Sequence, residues 1–273
     1  MIVFRVIVGM LVGIWAGAPA WAVEPDLVTQ IEAKATTLSR LHVRASQILV
    51  KIASERFLEL YFDGSPAEQA TNKFKLIEFL QKSQSQFRVE EMCLIDRQGR
   101  EIVRIVGGDP DSKIDHDESK NAWFKPGFAK EAKQVHVSPL YLSPDAERWV
   151  AGYTTPVLHK GSKPAILHYE FGLSVFQETA RADIDAPGRV IVLLDRQGRR
   201  LADSRQTIGY EAIEGKTGPD DYFPRVGDFD ADLLAQILKG GSGEKLGLIG
   251  AKRHRIAWQQ TGEWILAGFE PAN

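Results

Sequence analysis

A single cysteine, Cys93, stands among 273 residues, so no disulfide can form within the chain and the fold must rest on its core. Cys93 lies inside an apolar run and reads as a buried core thiol. An excess of one charge is missing too. With 34 basic against 36 acidic residues and a pI near 6.3, no overall field draws the chain to nucleic acid or to an anionic membrane. The short basic clusters at 196–200 and 252–255 read as solvated turn and strand faces. Signatures of chemistry are absent as well: there is no Gly-x-Ser-x-Gly elbow, no His-Glu-x-x-His and no glycine loop to cradle phosphate. No catalytic residue is expected. The six histidines, His42, His116, His136, His159, His168 and His254, are scattered without ligand spacing, although His136 and His168 could share a face with Glu170. The acidic stretch at 115–118 does not match a calcium loop, and Pro110 interrupts its approach. No metal and no cofactor are expected.

Long apolar runs are confined to the N-terminus. Residues 1–22 are apolar apart from Arg5 and end in Ala20-Trp21-Ala22, which reads as a secretory signal peptide; the alternative is an uncleaved anchor. Later apolar runs are strand-sized and flanked by charge. The expected location is therefore periplasmic or secreted.

What the chain does have is one stretch twice. Met92-Cys93-Leu94-Ile95 and Val190-Ile191-Val192-Leu193-Leu194 both run into Asp-Arg-Gln-Gly-Arg, at 96–100 and 195–199, and then into a second apolar run. Asp at the first turn position and Gly at the fourth read as a strand, a type I turn and a returning strand. Such a match should arise by chance in roughly one chain in a hundred, which points to a duplicated domain. Before the first copy, apolar residues at three and four spacing from Pro25 to about Tyr61 predict one long amphipathic helix. Ser65-Pro66-Ala67-Glu68 then starts a second helix that runs to about Gln86. After the copy come a polar loop at 107–121, a short aromatic helix at 123–128, and strands at 135–142, 149–158 and 165–173. A connector at 176–182 precedes the second hairpin, a loop at 217–228, a helix at 231–238 and three more strands ending at Phe269.

This order resembles the double Cache, or PDC, family of extracytoplasmic sensor domains. The residues that carry the resemblance are the long helix, the paired hairpins, Trp123-Phe124, Val137-Ser138-Pro139-Leu140-Tyr141, Ala151-Gly152-Tyr153-Thr154-Thr155-Pro156-Val157 and Trp264-Ile265-Leu266-Ala267-Gly268. It implies an α+β fold in which a long N-terminal helix, 25–62, backs two stacked PAS-like antiparallel-sheet units. The membrane-distal unit would cover 63–183 and the membrane-proximal unit 186–273. It also implies a small ligand held between the first sheet and the aromatic excursion. Relatives that bind amino acids show Arg-x-Trp-Tyr there, Tyr-x-Asp on a later strand and an Asp near the last strand's end. Here Asn121-Ala122-Trp123-Phe124, Tyr141-Leu142-Ser143 and Glu170 fill those places, and Tyr153 completes the candidate ligand-binding set. Without Arg at 121 a ligand carboxylate loses its bidentate partner. Trp123, Phe124, Tyr141 and Glu170 would instead favour a cation such as an amine. The same rings would serve equally in a core, and Glu170 on a strand surface. Most relatives continue into an output domain, whereas this sequence stops at Asn273, so the expectation is signalling through a membrane-bound partner protein. The alternative function is ligand-free interaction or homodimerisation through the long helix.

Overall fold

Asp26 accepts a hydrogen bond from the Val28 N–H at 3.2 Å and caps α1 (Leu27–Ala53). Leu27, Ile31, Ala35, Leu38, Ala45, Leu49 and Ile52 form its buried stripe. At 1.5 Å per residue this helix is about 40 Å long, enough to lie along both sheets. Near its start, Ile31 approaches so closely that a Cβ on Gly268 would sit 2.6 Å from it. Further along, the Tyr169 phenol donates to the Ala45 carbonyl. The outward face carries Glu32, Thr36, Arg40, Arg44, Gln47 and Lys51, with Val43 among them. The apolar stripe is therefore consumed within the chain, and self-pairing would have to use a polar face.

The structure, a computed structural model, describes residues 26–87, 89–111, 116–184 and 186–272. The signal-peptide reading lies outside these residues. The helix expected to reach Tyr61 stops at Ser54, whose N–H and hydroxyl both return to the Val50 carbonyl, at 3.1 and 2.8 Å. Glu55 N–H then closes on Ile52, which tightens the last turn and ends it. A new helix, α2 (Arg56–Asp63), turns Leu58 into the core. α3 (Pro66–Phe87) opens on one half of the expected box, Glu68 accepting from the Ser65 N–H at 2.8 Å, while the Ser65 hydroxyl also donates to Glu68 at 2.6 Å. No helix among the described residues is long and apolar enough to cross a membrane.

The first unit continues with β1 (Glu91–Asp96), β2 (Glu101–Val106), the two-residue β3 (Asp109–Pro110), α4 (Phe124–Ala129), β4 (His136–Val137), β5 (Tyr141–Ser143), β6 (Arg148–His159) and β7 (Ser162–Gly172). Its strand order is β3-β2-β1-β7-β6-β4, with β5 also paired to β6. The strand expected over 135–142 is thus two short ones, parted at Pro139, which has no N–H to give a ladder. α5 (Leu173–Arg181) leads to the second unit: β8 (Val190–Leu194), β9 (Arg200–Asp203), α6 (Pro219–Tyr222), α7 (Ala231–Leu238), β10 (Ser242–Ile249), β11 (Lys252–Thr261) and β12 (Trp264–Pro271). Here the order is β10-β11-β12-β8-β9. The run β2-β1-β7-β6 in one sheet matches β9-β8-β12-β11 in the other, so the halves repeat in topology as well as in sequence.

The repeated pentapeptide folds the same way twice. Asp96 Oδ1 accepts from the N–H groups of Gln98 and Arg100 at 2.8 and 2.9 Å, and Asp195 Oδ1 from those of Gln197 and Arg199 at 2.9 Å each. Gly99 and Gly198 take φ of +84° and +75°, which glycine adopts without Cβ strain. The following arginine pairs back to the aspartate, at 2.9 and 2.5 Å. Each ladder then shifts register by one residue. A turn closed by a glycine bulge explains why Asp, Gly and Arg recur together.

Candidate functional site

Alternation along β1 sends Met92 and Leu94 into the core under α1 and turns Cys93 and Ile95, with Glu91, to the other face. On β7, Leu167 and Tyr169 face that core, and His168 and Glu170 join the Glu91 face. The register places Glu91 opposite Glu170 and Cys93 opposite His168. Gly152 and Thr154 of β6 continue the two rows on one side, and Arg104 of β2 extends the second on the other. Glu91, Cys93, Arg104, His168 and Glu170 are at most 4 % exposed. Two carboxylates directly opposed in a sheet repel each other, so this pairing is a stability cost that the fold carries.

Over this face lies the excursion between β3 and β4. α4 comes close to β6 at Gly127, where a Cβ would be 2.4 Å from the Thr154 methyl. This lays the Trp123 indole flat on the His168 imidazole, with centroids 3.9 Å apart and planes 7° from parallel. The Thr154 hydroxyl lies 3.0 Å from His168 Nδ1 and the Tyr141 phenol 3.0 Å from Nε2. Tyr141 donates to Glu170 Oε1 at 2.7 Å. That reach depends on glycine at 152, because a Cβ there would lie 2.9 Å from the phenol oxygen and 2.8 Å from Ser138 Oγ. A cavity of about 360 Å³ results, walled by Glu91, Glu118, Trp123, Tyr141, Asp145 and Glu170, with Pro139 and Leu140 closing one side.

Four carboxylates line this cavity, and among the described residues no lysine, arginine or histidine does. Arg104 lies behind, 2.8 Å from Asp111, 3.1 Å from Asp145 and 3.5 Å from Glu101. Burial, and then the charge of Glu170, push the Glu91 carboxyl well above the ordinary range. Burial also raises Glu118 and Asp145, the latter against the pull of Arg104, and takes Glu101 to about 7. Glu91 and Glu170 each keep Oε2 buried without a hydrogen-bond partner. An unsatisfied buried acceptor costs about 1–3 kcal/mol, and more when charged. A positive group carrying N–H donors would satisfy both.

Of the residues singled out in the sequence, Asn121, Trp123, Tyr141 and Glu170 meet at the cavity, Asn121 donating to Glu118. Phe124 packs instead with Phe128, Ile95 and Ile166. Ser143 is fully buried and accepts from the Ala146 N–H at 3.0 Å, holding the turn. Tyr153 lies on the opposite face, its phenol 2.6 Å from His42 Nδ1 on α1. Sequence reading misses Glu91, Glu118 and Asp145. For Glu91 a signal exists: when the two copies are overlaid on their turns, Glu91 and Cys93 stand where Val190 and Val192 do. Through the registers, His168 and Glu170 likewise correspond to Ala267 and Phe269. In the second unit that face is apolar and is covered by Leu233 and Ile237 of α7. The difference at these four positions gives the polar cavity to the first unit.

No family model matches the sequence, and no curated protein matches it. Solved structures do. The sensory domain of the Campylobacter jejuni chemoreceptor Tlp3 with isoleucine bound superposes with a TM-score of 0.68 at 12 % identity, over 90 % of this chain and 91 % of that one. The extracellular domain of the histidine kinase vpHK1S-Z8 gives 0.66 at 13 %, over 90 % and 91 %. A domain of a sensory box/GGDEF family protein from Vibrio parahaemolyticus gives 0.67 at 14 %, over 90 % and 94 %. At these identities the likeness is one of fold: a long N-terminal helix and two antiparallel sheets, the double Cache architecture of chemoreceptor and kinase sensory domains.

Proposed function

We propose that this double Cache chain is a sensor module that binds a small organic cation, a primary amine, in the cavity of its first unit. The observation that supports this reading is the opposed pair Glu91 and Glu170, each with an unpartnered Oε2, beneath Trp123 and Tyr141. Tlp3 takes isoleucine and valine, ligands with a cationic and an anionic end. In this chain Asn121 offers no charge to a carboxylate, and four acids would repel one. An ammonium can donate to Glu91 and Glu170 while its carbon chain lies against Trp123 and Leu140.

Coupling would run through the wall of the cavity. Pro139 and Leu140 also border a cleft of about 250 Å³ whose other side is the second hairpin, with Arg196, Gln197, Phe223 and Trp264. A ligand that prefers one position of this wall shifts the second unit with it, and only to the extent of that preference. The reading places the module outside the cytoplasm, as the neighbouring kinase domain is described, with a membrane-bound signalling protein as its partner. Homodimerisation through α1 is the lesser reading, because the helix offers it only the polar face.

The test is the thermal midpoint of the protein with primary amines, amino acids and simple carboxylates. A ligand at one hundred times its dissociation constant adds about 2.7 kcal/mol, roughly 5–10 °C here. Amines should produce the shift. A shift produced by carboxylates and not by amines would overturn the reading.

A further inference from the structure

We propose that Glu91, Cys93 and Glu101 hold a transition-metal dication in the floor of this cavity, zinc being the ion their donor set fits. Glu91 is common to this site and to the amine site, so the ion and the ammonium would compete for it. The three side chains are buried and their donor atoms lie within 4.8 Å of one another. Cys93 Sγ is 3.5 Å from Glu101 Oε1. That is the edge of a tetrahedron built on a Zn–S bond of about 2.3 Å and a Zn–O bond of about 2.0 Å, which comes to roughly 3.5 Å. Sγ is only 2.5 Å from Glu91 Oε1, with the thiol proton between them. A metal takes the place of that proton: the S–H bond breaks, the sulfur lone pair coordinates the ion, the proton leaves to solvent, and Glu91 draws back to ligand distance.

A second observation points to the same spot. Glu170 is 4 % exposed, lies directly across the ladder from Glu91, and its Oε2 has no hydrogen-bond partner. Its charge acts on both Glu91 and Cys93, which favours a cation at this spot. The Oε2 atoms of Glu91 and Glu101 are likewise without hydrogen bonds. Arg104 already serves Asp111 and Asp145 and reaches Glu101 only at 3.5 Å, so three buried carboxylates beside a thiol exceed what one guanidinium balances. The hairpin fold itself does not require these groups. In the second copy the matching positions are Val190, Val192 and Arg200, and Arg200 simply pairs with Asp203 at 3.1 Å. A thiolate among carboxylates disfavours magnesium and calcium and suits zinc. Glu91 lines the cavity, which gives the ion a way in.

Cobalt(II) titration of the full protein tests this. The chain has one cysteine, so any thiolate-to-cobalt charge-transfer absorption reports Cys93 without need of a variant. The expected result is a near-ultraviolet band saturating at one equivalent, displaced by zinc, lost in Cys93→Ser and weakened at least tenfold in Glu101→Gln. No band in the wild-type protein at excess cobalt, or a band unaltered in Glu101→Gln, would overturn the assignment. Amine-induced stabilisation of chelator-treated protein keeps the two readings apart: it persists if only the metal site is wrong, and is absent while the cobalt band remains if only the amine reading is wrong.

Discussion

Glu170 is the residue on which most of the cavity turns. It accepts from Tyr141, faces Glu91 across the ladder and leaves one oxygen unpartnered. Glu170→Gln keeps the size and the Tyr141 contact but removes the charge. We expect amine affinity to fall ten- to a hundredfold by calorimetry, in line with about 1.5–3 kcal/mol for a hydrogen bond to a charged group. Urea unfolding of the unliganded variant should show equal or greater stability, because a like-charge pair is relieved. Unchanged affinity would remove Glu170 from the site. Gly152 matters through what it leaves room for. Gly152→Ala puts a methyl 2.9 Å from the Tyr141 phenol oxygen and from His168 Cε1. It should cost about 1–3 kcal/mol by overpacking and weaken amine binding as well. Wild-type affinity in that variant would show that the Tyr141 position is immaterial.

Among the elements, the two hairpins offer a controlled comparison. Gly99 and Gly198 share a left-handed backbone, but a Cβ on Gly99 would meet Ser119 N at 2.5 Å whereas one on Gly198 would come no nearer than 3.4 Å to a neighbour, Leu238. Gly198→Ala should cost about 1–2 kcal/mol for the backbone alone, and Gly99→Ala more; equal losses in urea unfolding would contradict the packing difference. α1 carries a separate pH dependence. His42 stacks on Phe176 at 4.9 Å, and burial lowers its pKa from 6.5 to about 4. Between those values the unfolded chain takes up a proton that the native state refuses. Stability is therefore full above pH 6.5 and lost as pH falls toward 4, by about 3 kcal/mol. The drop in thermal midpoint from pH 7 to pH 5 should shrink in His42→Gln, which can still bond Tyr153; an equal drop would place the titration elsewhere. The hairpins were legible in the sequence because Asp, Gly and Arg act within five residues. The end of α1 was not, since Ser54 returning to Val50 competes with helix continuation in a way no Gly or Pro announces. Asn121, Trp123, Tyr141 and Glu170 were legible as a pattern. Tyr153 shows the limit: alternation tells that neighbours part, but only the register and α1 decide which face is the cavity. Glu91 escaped notice because it heads an apolar run.

For the whole molecule, a net charge of -2 conceals an unequal distribution. The first unit gathers Glu91, Glu118, Asp145 and Glu170 around one half-enclosed space, while the second fills the matching face with Val190, Val192, Ala267 and Phe269. α1 and one contiguous core tie the two together, and the Pro139–Leu140 wall lies between cavity and cleft. On the proposed function, the first unit would bind and the second would receive the displacement. The structure of the protein crystallised with the amine that most raises its thermal midpoint tests this most directly. We expect the ammonium nitrogen within hydrogen-bond distance of Glu170 and Glu91, under Trp123, with the wall at 139–140 moved against the second hairpin. An ammonium found in the cleft beside Arg196, or a cavity left without the ligand, would contradict it.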